Sequence, residues 1–421
     1  MAAWKIALVT LAVATVAMGA MLPPRDVIEA MRRQSRVADN PDNPDDNPDI
    51  YLGTPDLIKR RGYPVEVHEV ETDDHYLLSL HRIPHGINDD ANSTEKRPVA
   101  YLQHGLIASS SDWVIMGPEQ GLAYILADAG YDVWMGNCRG NRYSRKHATL
   151  DPDNAEFWDF SWHEMALHDI PAELDYVLEH TGQSKLHYIG HSMGTTMFFV
   201  MNSLKPQYNT KFHSMFALAP IAYMDKVKSP IRLMAPFIDQ VEWLSKMIGM
   251  NEFMPNNAFM DFIGEAACKN EAPTQAVCSN VMFLLCGYDT QELNVTALPV
   301  MLSHTPAGTA TKVVIHYGQE IKSGKFRQYD YGLVGNLEHY KSIHPPEYDL
   351  GLVSAPVYLF YSENDWFAHP DDVEKLKQGL PNVQGKFLVS LESFNHLDYL
   401  WAIDVKTLVY DKVMSLMKRA E

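Results

Sequence analysis

Cysteine is scarce in this chain: 421 residues include four, at positions 138, 268, 278 and 286. Four cysteines cannot form the dense disulfide framework of a small secreted module. Basic residues are also few, since 35 Lys and Arg face 53 Asp and Glu, for a formal net charge of −18. Such a chain lacks the basic surface that nucleic-acid phosphates require, so no nucleic-acid partner is expected. Apolar residues make up 46 %, which excludes a disordered protein and indicates a folded core.

Long apolar runs are also few, and the first one lies at the N-terminus. Lys5 precedes the run Ile6–Ala20. At 1.5 Å per residue this run is too short for a bilayer core of roughly 30 Å. Its charged start and small-residue end predict a secretory signal peptide over residues 1–20, cleaved near Gly19 or Ala20. The alternative is an uncleaved membrane anchor. We expect a protein that is secreted or delivered to the lysosome.

The next segment, residues 21–54, is acidic and rich in Pro, Asn and Asp. Between Asp39 and Asp49 it has no apolar periodicity, which predicts an extended surface linker or pro-segment. Two sequons, at Asn92 and Asn294, predict N-glycosylation in the secretory compartment.

Short apolar runs alternate with longer helical patterns along most of the chain. A hairpin is expected over 65–83. The later strands are expected at 99–102, 131–135, 186–189, 212–218, 357–361 and 387–389, and helices at 163–179 and 195–204. This alternation predicts an α/β fold with a mostly parallel central sheet and helices on both faces.

One region interrupts the alternation. Residues 222–354 are rich in Met, Pro and aromatic residues, with a helical pattern at 238–250. We interpret this region as a cap over a site at the carboxyl ends of the strands. The alternative is a helical insertion that only packs on the sheet. The core then consists of residues 55–221 and 355–421.

A motif for nucleophilic catalysis follows the strand at 186–189. Gly190-His191-Ser192-Met193-Gly194 is a G-x-S-x-G sequence between a strand and a helix, the context that lifts a serine hydroxyl out of a tight turn. A plain strand–helix turn is the alternative interpretation. Ser192 is therefore the predicted nucleophile.

A serine nucleophile needs a base, and the base needs an acid that holds its ring. In the chain order Ser, acid, His, the acid follows a strand, and Asp365 follows the strand at 357–361. Its competitors are Glu363, Asp371 and Asp372, which otherwise would be surface charges or a helix cap. The predicted base is His396, because the other late histidine, His369, lies in the acid's own loop.

An oxyanion hole needs two backbone N–H groups. We predict those of Met193, directly after the nucleophile, and of Leu106, after the strand at 99–102. His104 beside it is interpreted as a structural histidine that lines the pocket. No metal and no cofactor is expected.

Together these motifs resemble the acid lipase family, which includes gastric, lysosomal and arthropod digestive lipases. The shared motifs span residue 55 to the C-terminus, and include Leu102-Gln103-His104-Gly105-Leu106, Gly190–Gly194, Leu302-Ser303-His304 and Asn395-His396-Leu397-Asp398. The resemblance implies an α/β-hydrolase core, a helical cap with a lid and hydrolysis of neutral-lipid esters. It also supports Ser192, Asp365 and His396 as the triad.

The chain departs from that family at two motif positions. Met193 stands where mammalian digestive members resemble G-H-S-Q-G, so we expect an altered pocket wall. Cys138 replaces a small hydroxyl residue and is expected to be buried as a free thiol, as is Cys286. A disulfide between Cys268 and Cys278 is predicted in the cap, with Cys278–Cys286 as the alternative.

The expected function is a secreted or lysosomal lipase acting on triacylglycerols or sterol esters at an emulsion or membrane surface, with no stable protein partner. The cap favours lipid because Phe237-Ile238, Val241, Trp243-Leu244, Met247-Ile248 and Met250 supply apolar side chains for a lid, although interior packing accounts for some of them. The alternatives are an inactive lipid-binding protein of yolk type and an esterase of soluble esters. Long-chain lipolysis is expected to persist, and to be fastest, below pH 6.5.

Overall fold

The computed structural model describes residues 47–89, 96–254, 285–289 and 291–420. The predicted signal peptide, the sequon at Asn92 and the predicted Cys268–Cys278 disulfide lie outside these residues.

The predicted hairpin is confirmed. Strands β1 (Glu66–Glu71) and β2 (Tyr76–Ile83) pair antiparallel, with Val70 opposite Leu78. The turn between them contains Asp73 and Asp74 and ends at His75, whose φ is 71°. Side chains alternate between the two faces of β1: those at 66, 68 and 70 are partly or fully buried, and those at 67, 69 and 71 are exposed.

The central sheet continues with strands that are mostly buried in the middle of the sheet and partly exposed at its edges. They are β3 (Val99–Gln103), β4 (Asp132–Met135), β5 (Lys146–His147), β6 (Leu186–His191), β7 (Phe212–Leu218), β10 (Val357–Tyr361) and β11 (Val383–Leu388). The order is β1-β2-β4-β3-β6-β7-β10-β11, with β5 beside β2. All pairs from β4 to β11 are parallel. Two short strands, β8 (Glu252–Phe253) and β9 (Thr309–Ala310), form a separate ribbon.

Helices cover the sheet as the strand–helix alternation predicts. They are α1 (Thr54–Arg60), α2 (Leu122–Asp128), α3 (Trp162–Glu164), α4 (Ile170–Thr181), α5 (Met193–Leu204), α6 (Ile238–Ile248), α7 (Leu298–His304), α8 (Thr311–Ser323), α9 (Gly332–Tyr340), α10 (Pro370–Gly379), α11 (Asp398–Trp401) and α12 (Asp411–Ala420). A π-helical turn, Met165–Asp169, joins α3 to α4. No helix within the described residues is long and apolar enough to cross a membrane.

Between β7 and β10 the chain leaves the sheet and forms α6 to α9. The helix predicted at 238–250 is α6, which ends at Gly249 in a left-handed conformation. Ile238 is buried against Ile315 and Tyr329, and Val241 packs on the same cluster. The other apolar side chains predicted for a lid remain 37–61 % exposed: Phe237, Trp243, Leu244, Met247, Ile248 and Met250. Interior packing therefore explains few of them.

Two local predictions were wrong. The last strand begins at Val383 rather than 387, because Val383, Gly385 and Lys386 pair with β10 at the sheet edge although they form no apolar run. The end of the predicted linker is also docked rather than extended. Pro48–Ile50 forms a 3₁₀ turn, and Asp49 is buried with its carboxylate 3.0 Å from Arg60 Nε. The composition of this segment did not predict its docking, because Arg60 and Arg61, which pair with Asp49, lie outside the segment.

Candidate active site

The G-x-S-x-G sequence forms a strained turn between β6 and α5. Ser192 has φ 52° and ψ −117°, a conformation that L-residues rarely adopt. The flanking glycines allow it: a Cβ on Gly194 would lie 2.4 Å from the carbonyl oxygen of Gln103, and one on Gly190 would lie 2.9 Å from the Gly194 carbonyl carbon. The turn therefore places Ser192 directly before α5, close to the loop that follows β3.

The structure brings Ser192, His396 and Asp365 together. His396 Nε2 lies 2.8 Å from Ser192 Oγ. On the other side of the ring, Nδ1 lies 2.9 Å from Asp365 Oδ2 and 3.0 Å from Oδ1. Residues separated by 204 and 31 positions thus form one continuous hydrogen-bonded chain.

Asp365 is fixed by its own loop. Its Oδ1 accepts the backbone N–H groups of Phe367 and Ala368, both at 2.8 Å, and the side chain is fully buried. The competing carboxylates lie elsewhere. Glu363 and Asp371 are exposed, and Asp372 accepts the backbone N–H of Lys226 at 2.8 Å.

The loop that carries His396 is closed by hydrogen bonds on both sides of the residue. Asn395 Oδ1 accepts the Leu397 N–H at 2.7 Å, and Asp398 Oδ2 accepts the Asn395 N–H at 2.6 Å. His191 Nε2 lies 2.8 Å from the His396 carbonyl oxygen. These contacts hold the ring in place while its two nitrogens face Asp365 and Ser192.

Both residues predicted for the oxyanion hole lie close to the serine. Met193 is the first residue of α5, where a backbone N–H has no acceptor within its own helix. Leu106 lines the same cavity as Ser192. Gly105 precedes it, and a Cβ at Gly105 would lie 3.2 Å from Ser192 Cβ. The backbone after β3 therefore passes very close to the serine.

Ser192 and His396 line a mostly apolar cavity of about 190 Å³. The side chains that form most of its wall are Leu106, Ile107, Ile221, Met224, Ile231, Val314, Ile321, Phe367, Leu397 and Leu400. Met193 is fully buried and does not belong to this wall, so the expectation of an altered pocket wall was wrong. The Met193 side chain points into the core because α5 packs on the sheet.

Two buried histidines border the site and differ from His396 in their contacts. His104 Nε2 accepts the Cys138 N–H at 3.1 Å, and its Nδ1 donates to the Gly105 carbonyl oxygen at 2.8 Å. It is structural, as predicted, but it does not line the cavity. Burial lowers the pKa of His104 to about 4 and the pKa of His191 to about 3. Both rings are therefore neutral in mild acid.

Sequence reasoning missed an acidic residue of the cavity wall, Asp112. Its carboxyl group is buried, lines the cavity and accepts a hydrogen bond from the Thr305 hydroxyl at 2.9 Å. The signal in the sequence is a single acidic residue after Ser109-Ser110-Ser111 and before a buried Trp113, in a segment that otherwise reads as core.

Of the predicted glycosylation sites and the four cysteines, the structure describes Asn294, Cys138 and Cys286. Asn294 is partly buried, and its Oδ1 accepts the Thr296 and Ala297 N–H groups at 3.1 and 3.2 Å. Cys138 and Cys286 are buried free thiols. Burial raises the pKa of each thiol well above its ordinary value.

Two groups of side chains have the spacing of metal ligands: Glu66, His68 and His180, and Asp73, Asp74 and His168. In each group an arginine already binds a carboxylate. Arg82 donates to Glu66 at 2.8 Å, and Arg139 donates to Asp74 at 2.6 and 2.7 Å. A guanidinium at these oxygens opposes a second cation, and neither group lines the cavity.

Comparison with known protein families identifies relatives of this chain. Residues 98–403 match the model described as the alpha/beta hydrolase fold, and residues 54–117 match a partial alpha/beta-hydrolase lipase region. The chain is 45 % identical to Lipase 3 of Drosophila melanogaster over 86 % of this chain and 92 % of that protein. The chain belongs to the acid lipase family. Within this family it is also 42 % identical to gastric triacylglycerol lipase of Rattus norvegicus, over 88 % of this chain and 93 % of that protein. It is 38 % identical to the lysosomal acid lipase/cholesteryl ester hydrolase of Macaca fascicularis, over 89 % and 92 %.

Proposed function

We propose that this acid lipase hydrolyses the carboxylic ester bonds of neutral lipids, foremost triacylglycerols, through an acyl-enzyme on Ser192. The observation that carries the proposal is the unbroken Ser192–His396–Asp365 chain, of which Ser192 and His396 line an apolar cavity. A soluble short ester does not need such a wall, whereas an acyl chain gains free energy by leaving water for it. The printed names of the relatives support the same class of substrate.

The first step forms the acyl-enzyme. His396 Nε2 takes the proton of Ser192 Oγ as the oxygen attacks the ester carbonyl carbon. Asp365 holds Nδ1–H, so that Nε2 is the nitrogen without a proton. The backbone N–H groups of Leu106 and Met193 bind the oxyanion. His396 then gives its proton to the leaving alcohol.

The second step uses water. His396 removes a proton from a water molecule as its oxygen attacks the acyl carbonyl carbon. The bond from Ser192 Oγ to the acyl group then breaks, His396 returns the proton to Oγ, and the fatty acid leaves. The same oxyanion donors act again, since the second tetrahedral intermediate carries its charge on the same oxygen. No step requires a metal or a cofactor.

We also propose where the enzyme meets its substrate. The exposed apolar residues of α6 suit an emulsion or membrane surface, because a contiguous apolar patch on a water-soluble protein is costly unless it is covered. Entry into the secretory pathway, by the signal peptide predicted over residues 1–20, would bring the enzyme to a digestive lumen or a lysosome.

The test compares three substrates side by side: emulsified triolein, cholesteryl oleate and a soluble short-chain ester. Release of oleate from triolein supports the proposal, whereas activity confined to the soluble ester contradicts it. Ser192→Ala should abolish both turnover and labelling by a fluorophosphonate probe, with rates down by about 10⁴-fold or more. Retention of ester turnover within tenfold of the unsubstituted enzyme would show that Ser192 is not the nucleophile.

A further inference from the structure

Asp112 is the only carboxyl group among the described residues that line the cavity of Ser192. It lies on the 3₁₀ turn Ser110–Trp113, which follows the loop of Leu106. Burying a carboxyl group in an apolar wall is unfavourable unless it finds partners. A polar group at this position therefore needs an explanation other than packing.

The protein satisfies only one side of this carboxyl group. Thr305 Oγ1 donates to Asp112 Oδ1 at 2.9 Å, while Oδ2 has no hydrogen bond from any residue in the described part of the chain. The residues around it are also fixed, because the Ala307 N–H donates to the Ile107 carbonyl oxygen at 2.6 Å. One oxygen is therefore held in place while the other remains available to a ligand.

The groups that share the cavity leave Asp112 without a cation. Burial raises the pKa of Asp112 to about 7, opposed only by the Thr305 hydrogen bond, with no contribution from Lys or Arg. The other titratable groups on the wall are His191, His396, Tyr317 and Cys286. Tyr410 lies behind the wall, where burial and the charge of Asp112 raise its pKa. In mild acid Asp112 is a neutral carboxylic acid, which donates a hydrogen bond.

We propose that Asp112 is a specificity-determining residue whose carboxyl group donates a hydrogen bond to a second oxygen of an acylglycerol, apart from the ester that Ser192 cleaves. This inference rests on the proposed lipase function and deepens it. Acylglycerols carry several ester oxygens close together, whereas the alcohol part of a sterol ester or a simple alkyl ester carries none beyond the scissile bond. A site built to bond a substrate oxygen discriminates strongly against an analogue that lacks it.

The test is internal competition between triolein and ethyl oleate in the same detergent micelles at pH 5.5. Because both substrates meet the same enzyme at the same surface, the product ratio reports the ratio of kcat/KM values and is independent of the active fraction. The unsubstituted enzyme should prefer triolein. Asp112→Leu should reduce that preference at least tenfold, and Asp112→Asn, which keeps a donor and the acceptor for Thr305, should change it less than threefold.

Repeating the competition from pH 5.5 to 8.5 separates specificity from a structural role. The unsubstituted enzyme should lose its preference for triolein as pH rises through about 7, because a carboxylate no longer donates. The preference of Asp112→Asn should stay constant. An unchanged ratio in Asp112→Leu, or equal losses on both substrates, overturns the inference while the lipase function stands. Hydrolysis of neither substrate by the unsubstituted enzyme would instead overturn the proposed function, and this inference with it.

Discussion

Arg139 binds Asp169 twice, through its backbone and through its side chain. The backbone N–H donates to Oδ2 at 2.9 Å, and Nε donates to Oδ1 at 2.7 Å. The remaining guanidinium nitrogens donate to both oxygens of Asp74, and the guanidinium stacks 3.9 Å from the ring centre of Tyr76. One buried arginine thus joins the loop after β4 to the β1–β2 turn and to the π-helical turn before α4.

Arg139→Met should lower the free energy of unfolding by about 3–5 kcal/mol, because it leaves two carboxylates without their cation. Lys146→Met is the control: its ion pair with Glu69 is exposed at 3.4 Å, and its removal should change stability by less than about 1 kcal/mol. Urea unfolding at pH 5.5 measures both. Equal losses of unfolding free energy in the two variants would show that the buried ion pairs of Arg139 contribute no more to stability than an exposed ion pair.

The same cluster has a defined pH dependence. Burial alone would raise the pKa of Asp74, but the hydrogen bonds and charge of Arg139 outweigh burial and lower it to about 2. A carboxylate with a lowered pKa stabilises the fold fully above its unfolded value near 4, and this stabilisation is lost as pH falls towards 2. The part of stability lost between pH 4 and 2 should therefore be smaller in Arg139→Met than in the unsubstituted protein.

Asp365→Asn should reduce kcat by about 10⁴-fold, because an amide favours the wrong tautomer of His396. Asp371→Asn is the matched control. Its carboxylate is six residues further along the chain, exposed, at the start of α10. Steady-state kinetics on a soluble ester, at equal concentrations of folded protein, give the comparison. A similar loss in both variants would assign the acid role elsewhere.

Gly194→Ala should prevent the native turn at Ser192, since the new methyl group would lie 2.4 Å from the Gln103 carbonyl oxygen. Gly53→Ala meets only ordinary contacts, the nearest being Tyr143 Oη at 3.5 Å, and should retain activity and melting temperature within a few degrees. Thermal unfolding and esterase activity of the two variants test this. A fully active Gly194→Ala enzyme would show that the β3 loop can move away from the serine.

Alkylation should distinguish the thiols. Cys138 and Cys286 should resist iodoacetamide in the native protein, because burial keeps them protonated and the thiolate is the reactive form. After unfolding without reductant, these two should be alkylated, and a linked peptide should contain Cys268 and Cys278. Peptide mapping decides the pairing, and recovery of Cys286 in the linked peptide would favour Cys278–Cys286 instead.

Long-chain lipolysis should persist below pH 6.5. His191 and His104 remain neutral there, so acidification adds no positive charge from either ring beside His396, and Asp112 loses its negative charge. The measurement is a pH–rate profile on emulsified triolein, with the folded fraction checked at each pH. A steep loss of activity below pH 6.5 with the fold intact would refute this expectation.

The sequence was sufficient where chemistry depends on local pattern. The turn at Ser192 is visible because a strand, two glycines and a helix are contiguous, and the resemblance supports Asp365 and His396. The sequence was insufficient where contacts between distant residues determine the structure. Nothing adjacent to Asp49 indicates that it is buried against Arg60. The role of Asp112 becomes visible only in the folded chain, where Thr305 contacts it and it lines the cavity. The predicted range of β11 was displaced from the observed one, because pairing with β10, and not an apolar run, defines this strand.

The docked segment that begins at Asn47 restricts how the protein can be processed by proteases. Asp49 pairs with Arg60 and Arg61, the Leu52 carbonyl oxygen lies 2.9 Å from His304 Nε2, and the Thr54 N–H donates to Tyr143 Oη at 2.9 Å. A cut before Asn47 preserves all of these contacts. A cut after Thr54 removes three anchors at once, and it loosens the hydrogen bond of 3.0 Å between Thr54 Oγ1 and Ser111 Oγ, the residue before Asp112.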